Sequence, residues 1–190
     1  MSVIVALCSS ESKSTWIASD TMVVSGNLTL SIGPKWIVRK PWAVGVAGHL
    51  RTINVFQHHA DELLRDLPDA YEFTRRARDF LKSDGYGEGK ETDGPSHFGQ
   101  MLLLARPDTV WTVGADFSLT PLPVDQMWAE GSGRDLAIGA GHALRTVHDG
   151  LSDRDLVRHA IETAIAYDSI CGGTPWMEEL VDSASCDASG

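Results

Sequence analysis

The segment at residues 2–7 places apolar side chains on both faces of its alternation: Val3, Val5 and Leu7 on one, Ile4 and Ala6 on the other. A strand with two apolar faces is stable only where both are covered, so its sheet must lie inside a layered fold. The neighbouring sequence supplies more strands. Residues 15–20 read as its partner, with Glu11-Ser12-Lys13 at the turn between them. Gly26-Asn27 marks another turn, before a strand at 28–32. Two further strands, 35–38 and 42–46, are parted at Lys40-Pro41, and Gly48 ends the β-run.

The period then changes. From Leu50 onward Ile53, Phe56, Ala60, Leu63, Leu64 and Leu67 fall on one helical face. A second helix is predicted over 69–82, with Tyr71, Phe73, Ala77, Phe80 and Leu81 as its apolar members. Residues 84–95 are rich in glycine and charge and read as a mobile surface loop. Four β segments follow, at 99–105, 109–114, 118–122 and 126–130. Gly131-Ser132-Gly133 punctuates the return to helix over 136–147 and again over 153–167, the latter capped by Ser152 or Asp153. Gly172-Gly173 closes that region, and 176–181 reads as a last strand. Segregated runs of strands and helix pairs specify an α+β architecture. Two packed sheets with a helix pair on each outer side, a four-layer αββα sandwich, would cover the two-faced strands.

The 190 residues suffice for one domain, expected over 1–181, with a fraying polar tail over 182–190. A formal net charge of -10 argues against a nucleic-acid surface, which needs a basic footprint, and gives no support for an anionic membrane. The three cysteines, Cys8, Cys171 and Cys186, have no zinc-ligand or disulfide-framework spacing, which fits a reduced cytoplasmic compartment. The first apolar run is short and lacks a basic flank, so it reads as a strand and not as a signal peptide. No run approaches the length of a membrane helix. The histidines show no metal-ligand spacing, and Trp128 and Trp176 read as packing residues.

Ser2 follows the initiator Met. With Met1 removed, Ser2 offers a nucleophilic Oγ and a free α-amine on one residue, so nucleophile and general base come together. Asp20, Lys35 and Gly48 are the helpers such a nucleophile needs. A positive Lys35 favours the ionised Oγ and a neutral amine, Asp20 compensates the lysine, and an exposed Gly48 N–H stabilises an oxyanion. Each has a plainer reading as well: Asp20 as a strand-end turn residue, Lys35 as a solvated lysine and Gly48 as a turn glycine.

In order along the chain, Ser2-Val3-Ile4-Val5, Ile17-Ala18-Ser19-Asp20, Pro34-Lys35-Trp36-Ile37, Val44-Gly45-Val46-Ala47-Gly48, Trp128-Ala129-Glu130-Gly131-Ser132-Gly133, Ala164-Ile165-Ala166-Tyr167-Asp168 and Cys171-Gly172-Gly173 resemble the proteasome β-subunit family, above all the bacterial HslV-type peptidases. No one match is specific; their joint order and spacing are. The chain departs from the family in carrying Ser where Thr is usual, which removes the methyl that fixes the hydroxyl rotamer. Only Met1 precedes that residue.

The resemblance implies the N-terminal-nucleophile hydrolase fold and a self-compartmentalising peptidase. Its substrates would be peptides or unfolded proteins, its assembly homo-oligomeric stacked rings, and an ATPase unfoldase would be a natural partner. It implies catalytic roles for Ser2, Asp20, Lys35 and Gly48, and a polar network at Ser132, Asp168 and Ser169 around the N-terminal amine; the plainer reading of those three is capping and turn chemistry. It needs no organic cofactor. A structural monovalent or divalent cation on the carbonyls of Asp168, Cys171 and Thr174 also follows from it. Two other functions stay open: a ring-forming subunit without catalysis, which retained Met1 would favour, and an amidohydrolase acting on small amides.

Overall fold

A computed structural model describes residues 2–25, 28–86, 101–148 and 150–182. Strands β1 (Val3–Ser9) and β2 (Ser14–Ser19) pair antiparallel, with Ile4 opposite Ser19. They are joined by β10 (Met127–Gly131) on one side and β11 (Trp176–Val181) on the other, giving a four-stranded sheet in the order β10-β1-β2-β11. The second sheet holds β5 (Trp36–Arg39), β6 (Trp42–Ala47), β7 (Met101–Arg106), β8 (Thr109–Val113) and β9 (Leu119–Pro121), side by side in chain order. A separate hairpin is formed by β3 (Met22–Ser25) and β4 (Leu28–Ser31). The helices are α1 (Leu50–His58), α2 (Ala60–Leu64), α3 (Ala70–Ser83), α4 (Arg134–Val147) and α5 (Asp153–Tyr167).

The two-faced first strand explains the layers. All seven residues of β1 are buried. Val3, Val5 and Leu7 pack outward against Ala160, Ile161 and Ala164 of α5. Ile4, Ala6 and Cys8 pack inward, against Trp36, Leu103 and Val110 of the facing sheet. The second sheet divides in the same way. Leu103 and Ala105 face the inter-sheet core, whereas Leu102, Leu104, Val44 and Val46 join Phe56, Leu63 and Phe73 of the helices beyond. Three cores thus separate four layers, the αββα sandwich expected from the alternation. Each fully buried Leu, Ile or Phe contributes roughly 1.5–3 kcal/mol through burial.

Some local expectations change. The single helix expected from Leu50 to Leu67 is two helices, because the chain leaves helical geometry at His59, whose ring stacks on Phe80 at 4.2 Å between centroids. The outer layer of the second sheet therefore holds three helices and not a pair. Strand β3 was not anticipated. Helix α4 begins at Arg134, two residues before its expected start. Ser152 is the cap of α5, its hydroxyl accepting the Asp155 N–H at 3.1 Å, and Asp69 caps α3 in the same manner. The Gly26-Asn27 turn and the tail from residue 183 lie outside the described residues, as does most of the 84–95 loop.

Gly131 ends β10 at φ +105°, and a Cβ there would sit 1.9 Å from the Ser2 carbonyl oxygen. Gly139, exposed on α4, has nothing within 4 Å of such a Cβ. The same substitution should therefore have opposite signs. Gly131→Ala is expected to destabilise by at least about 1–3 kcal/mol from backbone strain alone, and Gly139→Ala to stabilise by about 1 kcal/mol. Chemical denaturation of the two variants measures both.

Candidate active site

The sequence-predicted residues meet because antiparallel neighbours bring opposite strand ends together. Ser2 lies just before β1 and Asp20 just after β2, so the two are adjacent at one end of the first sheet. Lys35 lies just before β5 and Gly48 just after β6, adjacent at one end of the second. One bond links the two sheets there and another extends the β5–β6 pairing to Lys35. The Lys35 N–H donates to Ser19 Oγ at 3.1 Å, and the Lys35 carbonyl accepts the Val46 N–H at 2.9 Å.

Asp20 is the centre of the cluster. Its carboxylate is fully buried and accepts three donors: the Val3 N–H at 2.9 Å, Lys35 Nζ at 2.6 Å and the Gly172 N–H at 3.3 Å. The first two share Oδ1, so the ammonium lies no farther from the Ser2–Val3 amide than those two bonds end to end. Lys35 is 1% exposed, and its ammonium also donates to the Met22 carbonyl at 2.6 Å. Burial pushes the Lys35 ammonium below the ordinary lysine range, against the opposing pull of Asp20. Ser2, Lys35 and Gly48 line one cleft of about 250 Å³ with Val23, Val24, His49, Leu50 and Ile53. Gly48 is exposed in it, at the turn into α1. The arrangement holds a hydroxyl, a buried cation and a strand-end N–H around one space, which suits attack on a carbonyl and stabilisation of the oxyanion.

Ser132 and Asp168 form a second group. The Ser2 carbonyl accepts the Ser132 N–H at 2.9 Å and its hydroxyl at 3.4 Å. Asp168 caps the turn after α5, accepting the Ile170 N–H on Oδ1 at 3.0 Å and the Cys171 thiol on Oδ2 at 3.2 Å. Burial pushes the Asp168 carboxyl up, but the Ser132, Ile170 and Cys171 donors outweigh it and hold the group below the usual carboxylate range. Ser169 occupies an exposed turn beside it. The thiol joins the two halves, since Cys171 Sγ is also 3.6 Å from Ser132 Oγ. Burial pushes that thiol up to about 12, so it stays protonated and serves as a donor. Sequence reasoning gave Cys171 only a backbone role; the match at Cys171-Gly172-Gly173 was the available signal. Nothing in the sequence pointed to the Gly172 N–H or the Met22 carbonyl.

For the expected cation, the Asp168 carbonyl accepts the Cys171 N–H at 3.1 Å and the Thr174 carbonyl accepts the Thr21 hydroxyl at 3.1 Å. Each oxygen keeps a second lone pair, and no chemistry is assigned to a cation there. Among the described residues, no cluster of three or more His, Cys, Asp or Glu side chains is placed to hold a metal ion, and no helix is long and apolar enough to cross a membrane. Trp128 and Trp176 pack against the inter-sheet core, as expected.

The four layers are similar to the N-terminal-nucleophile hydrolase fold. Among solved structures, the chain is similar to Thiobacillus denitrificans BPH, with a TM-score of 0.75 and 17% identity over 93% of this chain and 96% of that one. BPH in complex with epoxomicin matches with a TM-score of 0.73 and 16% identity over 93% and 97%. Eukaryotic HslV from Trypanosoma brucei matches with a TM-score of 0.69 and 16% identity over 93% and 98%. No family model matches the sequence, and no curated protein does. The fold implied by the sequence resemblance is thus the fold found.

The buried pair gives a test of the cluster. Lys35→Met strands the Asp20 carboxylate and should cost about 3–5 kcal/mol. Adding Asp20→Asn removes the stranded charge and should recover much of that loss. A double-mutant cycle by denaturant unfolding measures both, and additive losses would contradict the coupling.

Proposed function

We propose that this chain is a peptidase subunit of the HslV and proteasome β type, with Ser2 as its N-terminal nucleophile once the Met1–Ser2 bond is cut. The observation that carries this reading is the buried Asp20 carboxylate, which binds the Val3 N–H and Lys35 Nζ through one oxygen beside a cleft that Ser2 and Gly48 share.

Ser2 Oγ attacks the scissile carbonyl. The Ser2 α-amine, through a water, takes the hydroxyl proton and later gives it to the leaving amine. The Lys35 ammonium keeps the amine neutral and favours the developing alkoxide; Asp20 holds that ammonium in place. The Gly48 N–H meets the oxyanion. Ser132 and Asp168, joined through Cys171, fix the Ser2 backbone. The product is an ester on Ser2, which water hydrolyses, again with the amine as base. No step runs through a cation or an organic cofactor.

The same reading includes homo-oligomeric stacked rings in the cytoplasm, peptides or unfolded proteins as substrates and an ATPase unfoldase as partner. Assembly is supported by the β3–β4 hairpin, where Leu28 and Leu30 are exposed on one face. Retained Met1 would turn the α-amine of Ser2 into an amide and favour a ring subunit without catalysis.

The test uses protein whose intact mass shows that it begins at Ser2. Ser2→Ala should lower kcat/KM for fluorogenic peptides by roughly a thousandfold or more, with Lys35→Ala costing nearly as much because such groups act as a unit. Ser2→Thr should retain activity. Light scattering checks that assembly persists in each variant. Unchanged hydrolysis in Ser2→Ala and Lys35→Ala overturns the assignment.

A further inference from the structure

Glu130 carries a buried carboxylate that the proposed mechanism does not use. It is 3% exposed, near the end of β10. Ala129 beside it faces the outer helices, whereas Trp128 and Glu130 share the face toward the second sheet. Oε1 of Glu130 accepts the Trp128 indole N–H at 3.2 Å and the hydroxyl of Thr112, on β8, at 3.5 Å. Oε2 lies 3.9 Å from Nη1 of Arg134, the first residue of α4. An indole and a guanidinium only donate, so these neighbours suit an ionised carboxylate, which only accepts. Once protonated, the group needs an acceptor for its own proton, and of the three neighbours only the Thr112 hydroxyl can turn to provide one.

Glu130 and Arg134 flank the turn Gly131-Ser132-Gly133, and that turn grips the nucleophile's own residue. Ser132 donates its N–H and its hydroxyl to the Ser2 carbonyl, at 2.9 and 3.4 Å. The two glycines let the turn pass close to its neighbours. A Cβ on Gly133 would sit 3.0 Å from Ala164 Cβ and 3.1 Å from both Cys171 Sγ and Val3 Cβ. The glycines also leave the turn with little side chain of its own to fix it. Its fixed points are its two ends. At one end Glu130 pairs with Ile4 of β1 and reaches across to Thr112; at the other Arg134 faces the same carboxylate. Neither Glu130 nor Arg134 is among the residues lining the cleft beside Ser2.

We propose that Glu130 is a positioning residue for Ser2: its ionised carboxylate, facing Arg134 across the Gly131–Gly133 turn, holds Ser132 under the Ser2 carbonyl. The inference rests on the peptidase reading above and adds to it a group that acts through the Ser2 backbone without touching substrate. Loss of the charge frees the Arg134 end and reverses the bond to Thr112, so the turn shifts and Ser2 Oγ loses its aim. A small misplacement of this kind lowers kcat. Burial pushes the Glu130 carboxyl above the ordinary glutamate range, against the opposing pulls of Trp128, Arg134 and Thr112. The charged groups on α4 beside it are Arg134 and Asp135, whose carboxylate binds the same guanidinium at 3.1 Å. The inward residues of the strands around it, Ile4, Ala47, Leu103, Val110 and Thr112, carry no charge. The active form is the ionised one, so its contribution is present above the raised titration and is lost as the pH falls through it.

The experiment measures kcat and KM for one fluorogenic peptide across a range of pH, on protein shown by mass to begin at Ser2. Glu130→Gln keeps the size of the side chain and an acceptor for Trp128, so it imitates the protonated form at every pH. Dividing wild-type kcat by the variant's cancels the titration of the amine and of Lys35, which both proteins share. That ratio should be roughly tenfold at about pH 8 and fall toward one as the carboxyl takes up its proton, above the usual glutamate range. KM should change little. Arg134 is half exposed, so Arg134→Gln tests the same pair without disturbing the core. The acid side of its kcat profile should move to higher pH, because the guanidinium favours the ionised carboxylate. Denaturant unfolding and light scattering check that both variants are folded and assembled. A ratio that does not vary with pH overturns the inference, since lost packing alone would produce it, and leaves the peptidase reading intact. So does an Arg134→Gln profile that superimposes on the wild type. Absence of cleavage by Ser2-initiated wild-type protein overturns the peptidase reading, and this inference with it.

Discussion

The ion pair between Asp20 and Lys35 fixes the strand ends around the cleft. Its partners are 2.6 Å apart, and their side chains are 0% and 1% exposed. A buried pair of this kind contributes little net stability, because desolvating both charges offsets most of their attraction. Its value lies in placement. One carboxylate holds the start of β1, the residue before β5 and the loop after α5, three segments far apart in the sequence. The ammonium answers by holding the Met22 carbonyl at the start of the β3–β4 hairpin. Four pieces of chain are thereby fixed around one cleft.

That placement depends on the layers. The charges can remain buried because the strands on which they end are covered on both faces, by the inter-sheet core and by the outer helices. Gly131 makes a comparable contribution at close range. Its positive φ lets β10 turn under the Ser2 carbonyl, where Ser132 then supplies two donors. The cleft combines a rigid polar side with an apolar one. The polar side is committed to internal partners.

Much of this was legible in the sequence. The two-faced run at Val3 to Leu7 required a covered sheet, and the change of period at Leu50 and at Leu136 placed the helices outside it. Asp20, Lys35 and Gly48 stood at strand ends by turn chemistry, and antiparallel pairing brings such ends together. The break at His59 was not legible, because the apolar period runs through it and its ring stacks on Phe80 of another helix, a contact that spacing does not show. Nor were the Gly172 N–H and the Met22 carbonyl, since backbone groups leave no signature in side-chain identity. Cys171 lay between these cases. Its position was singled out, but its role as a protonated bridge between Ser132 and Asp168 follows from burial, which spacing alone does not give.

The claim that Ser2, once freed of Met1, is an N-terminal nucleophile is tested most directly by intact mass spectrometry before and after treatment with epoxomicin, the compound held by Thiobacillus denitrificans BPH. The account predicts a chain that begins at Ser2, a single added mass equal to the compound, and a peptide map that places it on Ser2. Ser2→Ala protein should show no stable addition. A chain that still carries Met1, or an adduct that persists in Ser2→Ala, would contradict it.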